Sequence, residues 1–410
     1  MAKLPSGDPA PADGALPPSA LRADVPLSLY LHVPFCRVRC GYCDFNTYTP
    51  GELGGVDQDG FLGAAVAELD LARRLLGPRR VETVFFGGGT PTMLAPGALT
   101  GLLGAMRDRF DFAPDAEVTT EANPETLTPA YLSELRDGGF TRLSLGLQSV
   151  VPHVLRVLER VHTPSRGLDA AGWARDAGFA HVSLDLIYGT PGESQGDWRA
   201  SLDAVTSAPV DHVSAYSLIV EDGTRLARQV RRGEIAMPDD DDLADKYEAA
   251  DAALTALGFA NYEVSNWSLP GGECRHNLAY WRGGDWWGVG PGAHSHIGGV
   301  RFWNRKHPRS YIASLAASES PALAREVLSD DERRVERVLL ELRIADGLPL
   351  DVLTPSERER VPDVLASGLA ELVSPAGSVV DDPSLIRGNR LRLTRAGRLL
   401  ADGVVRDLLD

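Results

Sequence analysis

The sequence has few cysteines and no long apolar run. Three of its four cysteines fall within eight positions, which indicates metal binding in a reducing compartment rather than a disulfide framework. No apolar stretch approaches the roughly 20 residues of a membrane-spanning helix, so any membrane contact is expected to be peripheral. The first 25 residues are rich in proline and alanine but lack the apolar core of a signal peptide. We therefore expect a cytoplasmic protein with a disordered tail over residues 1–25.

Basic residues are also scarce, since 41 lysines and arginines stand against 57 acidic residues, for a net charge of −16. Binding to nucleic acid relies on a basic face that neutralises phosphates, so this balance argues against a nucleic-acid partner. Apolar residues make up 43% of the chain, which suffices for a buried core and excludes global disorder. The length suits a barrel-sized domain with a smaller second domain.

Short apolar runs alternate with longer amphipathic ones from Leu27 to about Val264. Six successive βα units with apolar strands predict a parallel sheet covered by helices. Right-handed crossovers curl such a sheet, so the predicted fold class is α/β, with a partial (β/α)6 TIM-like barrel over residues 26–265. The predicted strands are Leu27–Val33, Val81–Phe86, Ala116–Glu121, Arg142–Gly146, His181–Ile187 and His212–Leu218, and the predicted helices are Phe61–Leu76, Pro129–Asp137, Gly167–Ala177 and Ser194–Thr206.

The chain changes character after residue 265. Residues 266–329 are rich in aromatics and glycine and lack clear periodicity, so we expect them to connect two domains. Helix candidates follow at Arg333–Arg343 and Thr354–Leu372, and Arg390–Leu409 predicts a strand that enters a helix. These elements indicate a smaller C-terminal α+β domain over residues 330–410 that is similar to a winged helix. The acidic balance makes DNA binding by this domain an unfavoured interpretation.

Cys36, Cys40 and Cys43 have the spacing C-x3-C-x2-C directly after the first predicted strand. Three thiolates on one short loop reach three corners of a cubane cluster and leave one iron without a protein ligand. The alternative is a zinc site completed by Cys274, but zinc sites favour C-x2-C pairs. The spacing therefore favours a [4Fe–4S] cluster held by the three clustered cysteines.

Polar or glycine-rich features follow other predicted strands in the same way. A Gly-Gly-Gly-Thr-Pro loop follows the second strand, Glu121 ends the third, Gln148 lies just past the fourth and Asp185 lies late in the fifth. In a parallel βα barrel, ligand sites gather at the carboxyl ends of the strands. These features therefore predict one site that they share with the cysteine loop.

These residues resemble the radical S-adenosylmethionine superfamily. Within it they are similar to the branch of oxygen-independent coproporphyrinogen III oxidase and its haem-chaperone relatives, over about residues 26–300. The resemblance rests on the cysteine motif together with the preceding Tyr-x-His-x-Pro-Phe, formed by Tyr30, His32, Pro34 and Phe35. It implies that S-adenosylmethionine chelates the open iron through its amino and carboxylate groups.

The resemblance also implies which residues bind S-adenosylmethionine. Taken alone, Tyr30 also fits a core aromatic and Arg160 a surface charge, but their order and spacing match the family. The implied contacts are Tyr30 near the methionine moiety, Gly88, Gly89 and Thr90 at its amino group with Glu121 as the paired carboxylate, Arg160 at its carboxylate, Tyr42 beside the adenine, Gln148 at the nucleoside and Asp185 at the ribose hydroxyls.

Two departures from the oxidase pattern favour the haem-chaperone branch. Phe45 stands where the oxidase has a fourth cysteine, and no candidate exists for the oxidase's N-terminal extension.

The segment from His276 to Trp281 matches the H-N-x-x-Y-W motif of the chaperones, and imidazole is a good axial ligand of haem iron. Aromatic side chains nearby offer flat apolar surface to a porphyrin, or else simply close the open side of the barrel. The expected haem-binding residues are His276, Asn277, Tyr280 and Trp281, with Cys274, His294 and His296 as alternative iron ligands.

The resemblance therefore implies a haem chaperone with a [4Fe–4S] cluster, S-adenosylmethionine and haem as its cargo. In the family, haem passes to recipient haemoproteins, chiefly respiratory enzymes of the membrane, and the cluster and S-adenosylmethionine assist folding, homodimer formation or transfer. The alternative is a radical enzyme such as oxygen-independent coproporphyrinogen III oxidase, which decarboxylates porphyrinogen propionates.

Overall fold

The computed structural model describes residues 5–160, 163–380 and 388–409. Its strands form a 13-stranded mixed sheet, in the order β1-β13-β12-β11-β10-β2-β3-β4-β5-β6-β7-β9-β8, and a three-stranded sheet, in the order β14-β16-β15. The strands are β1 Asp8–Pro9, β2 Leu27–Val33, β3 Arg80–Gly88, β4 Asp111–Ala122, β5 Arg142–Gln148, β6 His181–Tyr188, β7 His212–Ser217, β8 Ala260–Glu263, β9 Asn266–Ser268, β10 Asp285–Val289, β11 His294–Ile297, β12 Val300–Asn304, β13 Ala322–Val327, β14 Leu348–Pro349, β15 Ala370–Val373 and β16 Arg390–Leu393.

Helices follow most of the parallel strands and cover the outer face of the main sheet. The apolar residues of β2 that face them, such as Leu29 and Leu31, are fully buried. The helices are α1 Gln58–Leu76, α2 Pro96–Arg107, α3 Pro129–Asp137, α4 Pro152–Val157, α5 Pro164–Asp176, α6 Gln195–Thr206, α7 Arg225–Arg231, α8 Asp240–Ala256, α9 Arg275–Trp281, α10 Pro308–Ala316, α11 Asp330–Glu341, α12 Pro355–Arg358, α13 Val361–Ala366, α14 Arg395–Leu399 and α15 Ala401–Leu409. None of these helices is both long and apolar enough to cross a bilayer.

Strands β2 to β7 are parallel and adjacent in chain order, which confirms the predicted partial (β/α)6 barrel. Each of the six predicted strands overlaps one of them. The sheet continues on both sides, because β10 adds to β2 in parallel and β9 adds to β7 in antiparallel. The carboxyl ends of six parallel strands therefore meet at one end of the barrel, where ligand sites gather in this architecture.

The expectation that residues 266–329 connect two domains is wrong. They form β9 to β13, α9 and α10, and β10 to β13 extend the barrel sheet strand by strand. These strands have only three to six residues, which is too short for hydrophobic periodicity to register, and glycine turns join β10 to β11 and β11 to β12. The structural boundary of the barrel sheet thus lies near residue 329 rather than residue 265.

The expectation of a disordered N-terminal tail is wrong for residues 5–25. β1 pairs with the edge strand β13, Ser320 donates its backbone N–H to Ala12, and Ala20 is buried. Backbone hydrogen bonds to a sheet edge need no particular side chains. A composition rich in proline and alanine therefore did not reveal this pairing.

The C-terminal residues form a small α+β unit with its own apolar core. Elements follow in the order α11, β14, α12, α13, β15, β16, α14 and α15, and the helix–strand–helix–helix–strand–strand series is that of a winged helix. The predicted helix Thr354–Leu372 is instead two short helices and a strand, because Pro355 and Pro362 each lie in the first turn of a new helix. The core of the unit includes Val338, Leu350, Leu391 and Val404.

Candidate cofactor and haem cavity

One cavity of about 960 Å³ opens at the carboxyl ends of the barrel strands and reaches into the barrel. Its mouth is formed by the cysteine loop, between β2 and α1, and its floor by the first turn of α9. The three clustered cysteines line it, as do all nine residues expected to bind S-adenosylmethionine and three of the four expected to bind haem. The predicted sites are therefore parts of one space.

The cysteine loop presents Cys36, Cys40 and Cys43 to the cavity as free thiols. Backbone hydrogen bonds hold it, with the N–H of Cys43 donating to Cys40 at 3.1 Å. Burial raises the pKa of the Cys43 thiol to about 11. Among the described residues, no three histidine, cysteine or acidic side chains converge on the position of a single metal ion. Three thiols on one loop can hold three corners of a cubane cluster and leave the fourth iron open.

The glycine loop at the end of β3 lies against the cysteine loop. The N–H groups of Gly89 and Thr90 donate to Val33 and Phe35, each at 2.8 Å, and the Thr90 hydroxyl lies 3.9 Å from the Cys36 sulfur. Gly88 has φ of +107°, a conformation that side chains disfavour. The loop therefore offers bare backbone beside the cysteines, as the close approach of an amino-acid moiety requires.

Replacing Gly88 by alanine is expected to weaken S-adenosylmethionine binding at least about tenfold, through a backbone strain of roughly 1–3 kcal/mol. A Cβ atom at Gly88 meets the buried imidazole of His32 at 2.6 Å, so the loop has to shift. Equilibrium dialysis with labelled S-adenosylmethionine measures the effect. Gly101→Ala is the matched control, because a Cβ atom there on α2 meets nothing within 4 Å. Equal affinities of the two variants would contradict this role of the loop.

Two carboxyl groups lie inside the cavity below the glycine loop. Glu121 accepts the N–H of Gly88 at 3.1 Å, and Asp185 accepts the Ser144 hydroxyl at 3.0 Å. Burial, and for Glu121 also the neighbouring Asp185, raises the pKa of Glu121 to about 8 and that of Asp185 to about 6. The carboxyl groups of Glu121 and Asp185 are therefore suited to accept hydrogen bonds from an amino group and from hydroxyl groups of a bound ligand.

These pKa values predict how stability depends on pH in the protein without S-adenosylmethionine. A carboxyl whose pKa is raised on folding keeps its proton in the folded protein at pH values where the unfolded chain has lost it. The free energy of unfolding therefore falls as the pH rises from about 5 to about 8. The slope is at most about 1.4 kcal/mol per pH unit for one group. Chemical denaturation at several pH values should show a shallower fall in Glu121→Gln than in the wild type. The surface substitution Glu134→Gln serves as control, and an unchanged slope in Glu121→Gln would refute the assignment.

The cavity wall beside the two carboxyl groups is completed by Arg160, Tyr42 and Gln148. Burial disfavours the charged form of Arg160, but Tyr42 and the thiols of Cys40 and Cys43 raise its pKa above the usual value, so it stays a cation. Gln148 has φ of +63°, which is uncommon for a residue with a side chain and typical of functional sites. A half-buried cation next to the cysteine loop is well placed to face a carboxylate bound at the cluster.

Helix α9 closes the barrel from below and brings the histidine motif to the cavity floor. His276 is buried and stacks on Phe85 of β3, whose ring in turn stacks on Tyr30. Both its ring nitrogens have partners, because Nδ1 lies 2.8 Å from the Thr83 hydroxyl and Nε2 lies 2.8 Å from the Tyr280 hydroxyl. Burial lowers the pKa of His276 to about 4, so the imidazole is neutral near neutral pH.

A buried ion pair inside the barrel holds α9 in place. Arg142 binds Glu117 at 3.1 Å and donates to the carbonyls of Gly272 and Glu273 at 2.8 and 2.9 Å. Glu117 in turn accepts the N–H of His276 at 3.0 Å. Burial tends to raise the pKa of Glu117, but Arg142 and the amide donors bring the pKa below its usual value. The carboxylate is therefore ionised and caps the start of α9.

Trp281, one of the expected haem-binding residues, and the alternative ligands His294 and His296 lie outside the cavity. Trp281 follows the cavity-facing turn of α9 and does not line the cavity. His294 is exposed and stacks on Trp303, and His296 binds the carbonyl of Gly284 at 2.9 Å. Much of the aromatic segment thus closes the side of the barrel, as the simpler interpretation held. Cys274 lines the floor, where its thiol contacts Glu117 at 3.5 Å, away from the cysteine loop.

Sequence reasoning missed four residues that shape the cavity. Phe85 and Tyr216 line it from β3 and β7, Arg142 lines it from the start of β5, and Glu117, in the middle of β4, binds Arg142. Because successive side chains of a strand point to opposite faces of the sheet, every second residue of these strands points into the barrel. Nothing in a single sequence separates an inner-face residue that contacts a ligand from one that only packs.

Comparison with known proteins identifies the class. The family model described as "Radical SAM superfamily" matches residues 30–205. The structure of coproporphyrinogen III oxidase HemN from Escherichia coli, described as a radical SAM enzyme, has the same fold, with a TM-score of 0.78 over 95% of this chain and 91% of that chain at 24% identity. The fold, with its three cysteines at the end of the first barrel strand, is thus that of a radical S-adenosylmethionine protein.

Relatives of higher identity define the family more narrowly. The heme chaperone HemW of Mycobacterium tuberculosis (strain H37Rv) is 56% identical over 394 residues, which cover 96% of this chain and 97% of the relative. The heme chaperone HemW of Bacillus subtilis is 32% identical over 92% of this chain and 97% of the relative. The chain belongs to the HemW family of radical S-adenosylmethionine proteins.

Proposed function

We propose that the protein is a haem chaperone that binds haem, a [4Fe–4S] cluster and S-adenosylmethionine and delivers the haem to respiratory haemoproteins. The observation that carries this proposal is the single cavity, which joins the cysteine loop at its mouth to His276 at its floor. Membership of the HemW family supports haem as the cargo. Phe45 in place of a fourth thiol supports a carrier rather than an oxidase.

Cys36, Cys40 and Cys43 would hold the cluster, whose open iron supplies a binding site for the amino and carboxylate groups of S-adenosylmethionine. Arg160 is placed to face the carboxylate, since it is a half-buried cation beside the cysteine loop. Glu121 is placed to accept the amino group, because its carboxyl already contacts the Gly88 backbone. Together the cluster and S-adenosylmethionine would order the cavity mouth and assist homodimer formation or haem transfer.

His276 would ligate the haem iron at the floor. Its low pKa keeps the imidazole neutral, which is the form that binds iron. Its Nε2 is hydrogen-bonded to Tyr280 at 2.8 Å, so ligation requires the Tyr280 hydroxyl to move aside. Asn277 and Tyr280 also line the floor and would contact the porphyrin edge.

An anaerobic haem titration of cluster-reconstituted protein tests the proposed ligand. The wild type should develop a Soret band with the spectrum of imidazole-ligated haem, and His276→Ala should lose that signature. His212 of β7 also lines the cavity, where its Nε2 lies 2.8 Å from the Tyr262 hydroxyl, so His212→Ala, measured alongside, should keep the signature. His294→Ala is the matched control, since His294 is exposed outside the cavity. Identical haem spectra of the wild type and His276→Ala would rule out His276 as the ligand.

A further inference from the structure

Phe45 has an environment that neither the cluster nor S-adenosylmethionine explains. Its side chain is 58% exposed at the cavity mouth. Thirteen large apolar residues of the described chain are exposed, and four of them line this one cavity, namely Val38, Phe45, Tyr216 and Ile219. We call these four residues the cavity rim. Because contiguous exposed apolar side chains mark interaction sites, the rim indicates a binding surface.

The cavity rim has two sides that are fastened to each other. Val38 and Phe45 lie on the cysteine loop, whereas Tyr216 is the penultimate residue of β7 and Ile219 follows the strand. The backbone N–H of Leu226, in α7, donates to the carbonyl of Gly41 at 2.9 Å, so the helix that follows the Ile219 side is bonded to the cysteine loop. All four residues line the same cavity, so the rim is one apolar surface at its mouth.

The charges at the rim are asymmetric. Arg37 is exposed on the cysteine loop and has no hydrogen bond or ion pair within the described residues, whereas Arg39 binds Glu52 at 3.1 Å. Asp44, on the same loop, interacts with Lys306, and Glu221 stands on the opposite side beside Ile219. An uncompensated guanidinium on one side and a carboxylate on the other favour a ligand that carries its anionic groups at a single edge.

We propose that the cavity rim binds the apolar face of the haem, with the propionates directed to Arg37. This inference rests on the proposed function and adds a second haem position to it. His276 is only 1% exposed, so haem on that residue is out of reach of a recipient protein. Haem on the rim lies at the surface, where it can be taken up and handed over. The rim recognises the porphyrin plane, whereas the floor recognises the iron.

Iron-free protoporphyrin IX separates the two positions, because it has the plane and the propionates but no iron for His276. Cluster-reconstituted protein is titrated with it anaerobically, and binding is followed by porphyrin fluorescence. Phe45→Ser and Ile219→Ser should each weaken binding about 10- to 100-fold, as expected when a large apolar contact is lost. Arg37→Gln should weaken it about tenfold through the lost charge-assisted contact. Val327→Ser, an exposed apolar site on β13 outside the cavity, is the control.

Each outcome decides the proposal. Weakened binding in both serine variants, with iron content and control unchanged, supports the rim. Ile219 lies away from the thiols, so unchanged protoporphyrin binding in Ile219→Ser overturns the proposed rim site. Phe45→Ser protein that loses iron but keeps its protoporphyrin affinity also overturns it. If the wild type shows the haem Soret band but does not bind protoporphyrin, the rim is wrong and the proposed function stands. If the wild type binds neither, both are wrong.

Discussion

Replacing Cys40 by serine is expected to reduce the iron content of reconstituted protein from about four atoms per chain to near zero, with loss of its visible absorption. A serine hydroxyl is a poor ligand for iron that thiolates hold. The loop offers three thiols and the cavity-lining Cys274 lies at the floor, so no fourth thiol is placed to substitute. Iron and sulfide analysis after anaerobic reconstitution measures the loss.

Cys274→Ser is the matched control for this experiment. Its thiol contacts Glu117 rather than the cysteine loop, and a serine hydroxyl can donate to the same carboxylate. The variant should therefore keep its full iron content. A cluster that survives Cys40→Ser, or iron that is lost from Cys274→Ser, would contradict the ligand set, and the second result would favour a four-cysteine site.

Replacing Glu117 by alanine is expected to lower the free energy of unfolding by about 3–5 kcal/mol, because it leaves the buried Arg142 without its counter-ion. The N–H groups of Arg275 and His276 lose their acceptor as well, at 3.2 and 3.0 Å in the structure. The start of α9 should loosen, so the variant should also bind haem more weakly. Denaturant unfolding and the haem titration measure the two effects.

Asp115→Ala provides a matched control on the same strand. Asp115 pairs with Arg275 at 3.0 Å, but both side chains are largely exposed, and such pairs contribute at most about 1 kcal/mol. Its unfolding free energy should therefore stay close to that of the wild type. A loss in Glu117→Ala no larger than in Asp115→Ala would show that the buried pair does not hold α9.

The sequence predicted the barrel and its cofactor residues well because both leave local signals. β2 is predicted to the residue, since Leu27–Val33 is an apolar run bounded by prolines. The candidate residues Glu121, Gln148 and Asp185 follow or end strands, and parallel strands bring such positions together at one end of the barrel. Their common cavity was therefore expected before the structure, although no sequence signal gave the raised pKa of Glu121.

Long-range pairing accounts for what the sequence did not reveal. Asp8 pairs with Arg325, and β10 pairs with β2. Each contact joins segments that are far apart in the chain, so no pattern of neighbouring residues predicts it. The same holds for the ion pair of Glu117 with Arg142, whose partners are 25 residues apart. Trp281 was assigned to haem from its place in a motif, but helical geometry turns it away from the face that His276 and Tyr280 share.

Transfer of haem to an apo-haemoprotein shows whether the protein acts as a haem chaperone. Haem-loaded, cluster-reconstituted protein is mixed anaerobically with membranes that contain a respiratory haemoprotein lacking its haem, and both Soret bands are followed. The account predicts that the band of this protein falls as that of the recipient rises, and that His276→Ala, loaded and measured alongside, transfers less haem. Haem that stays with the wild-type protein while the recipient remains in its apo form would contradict the account.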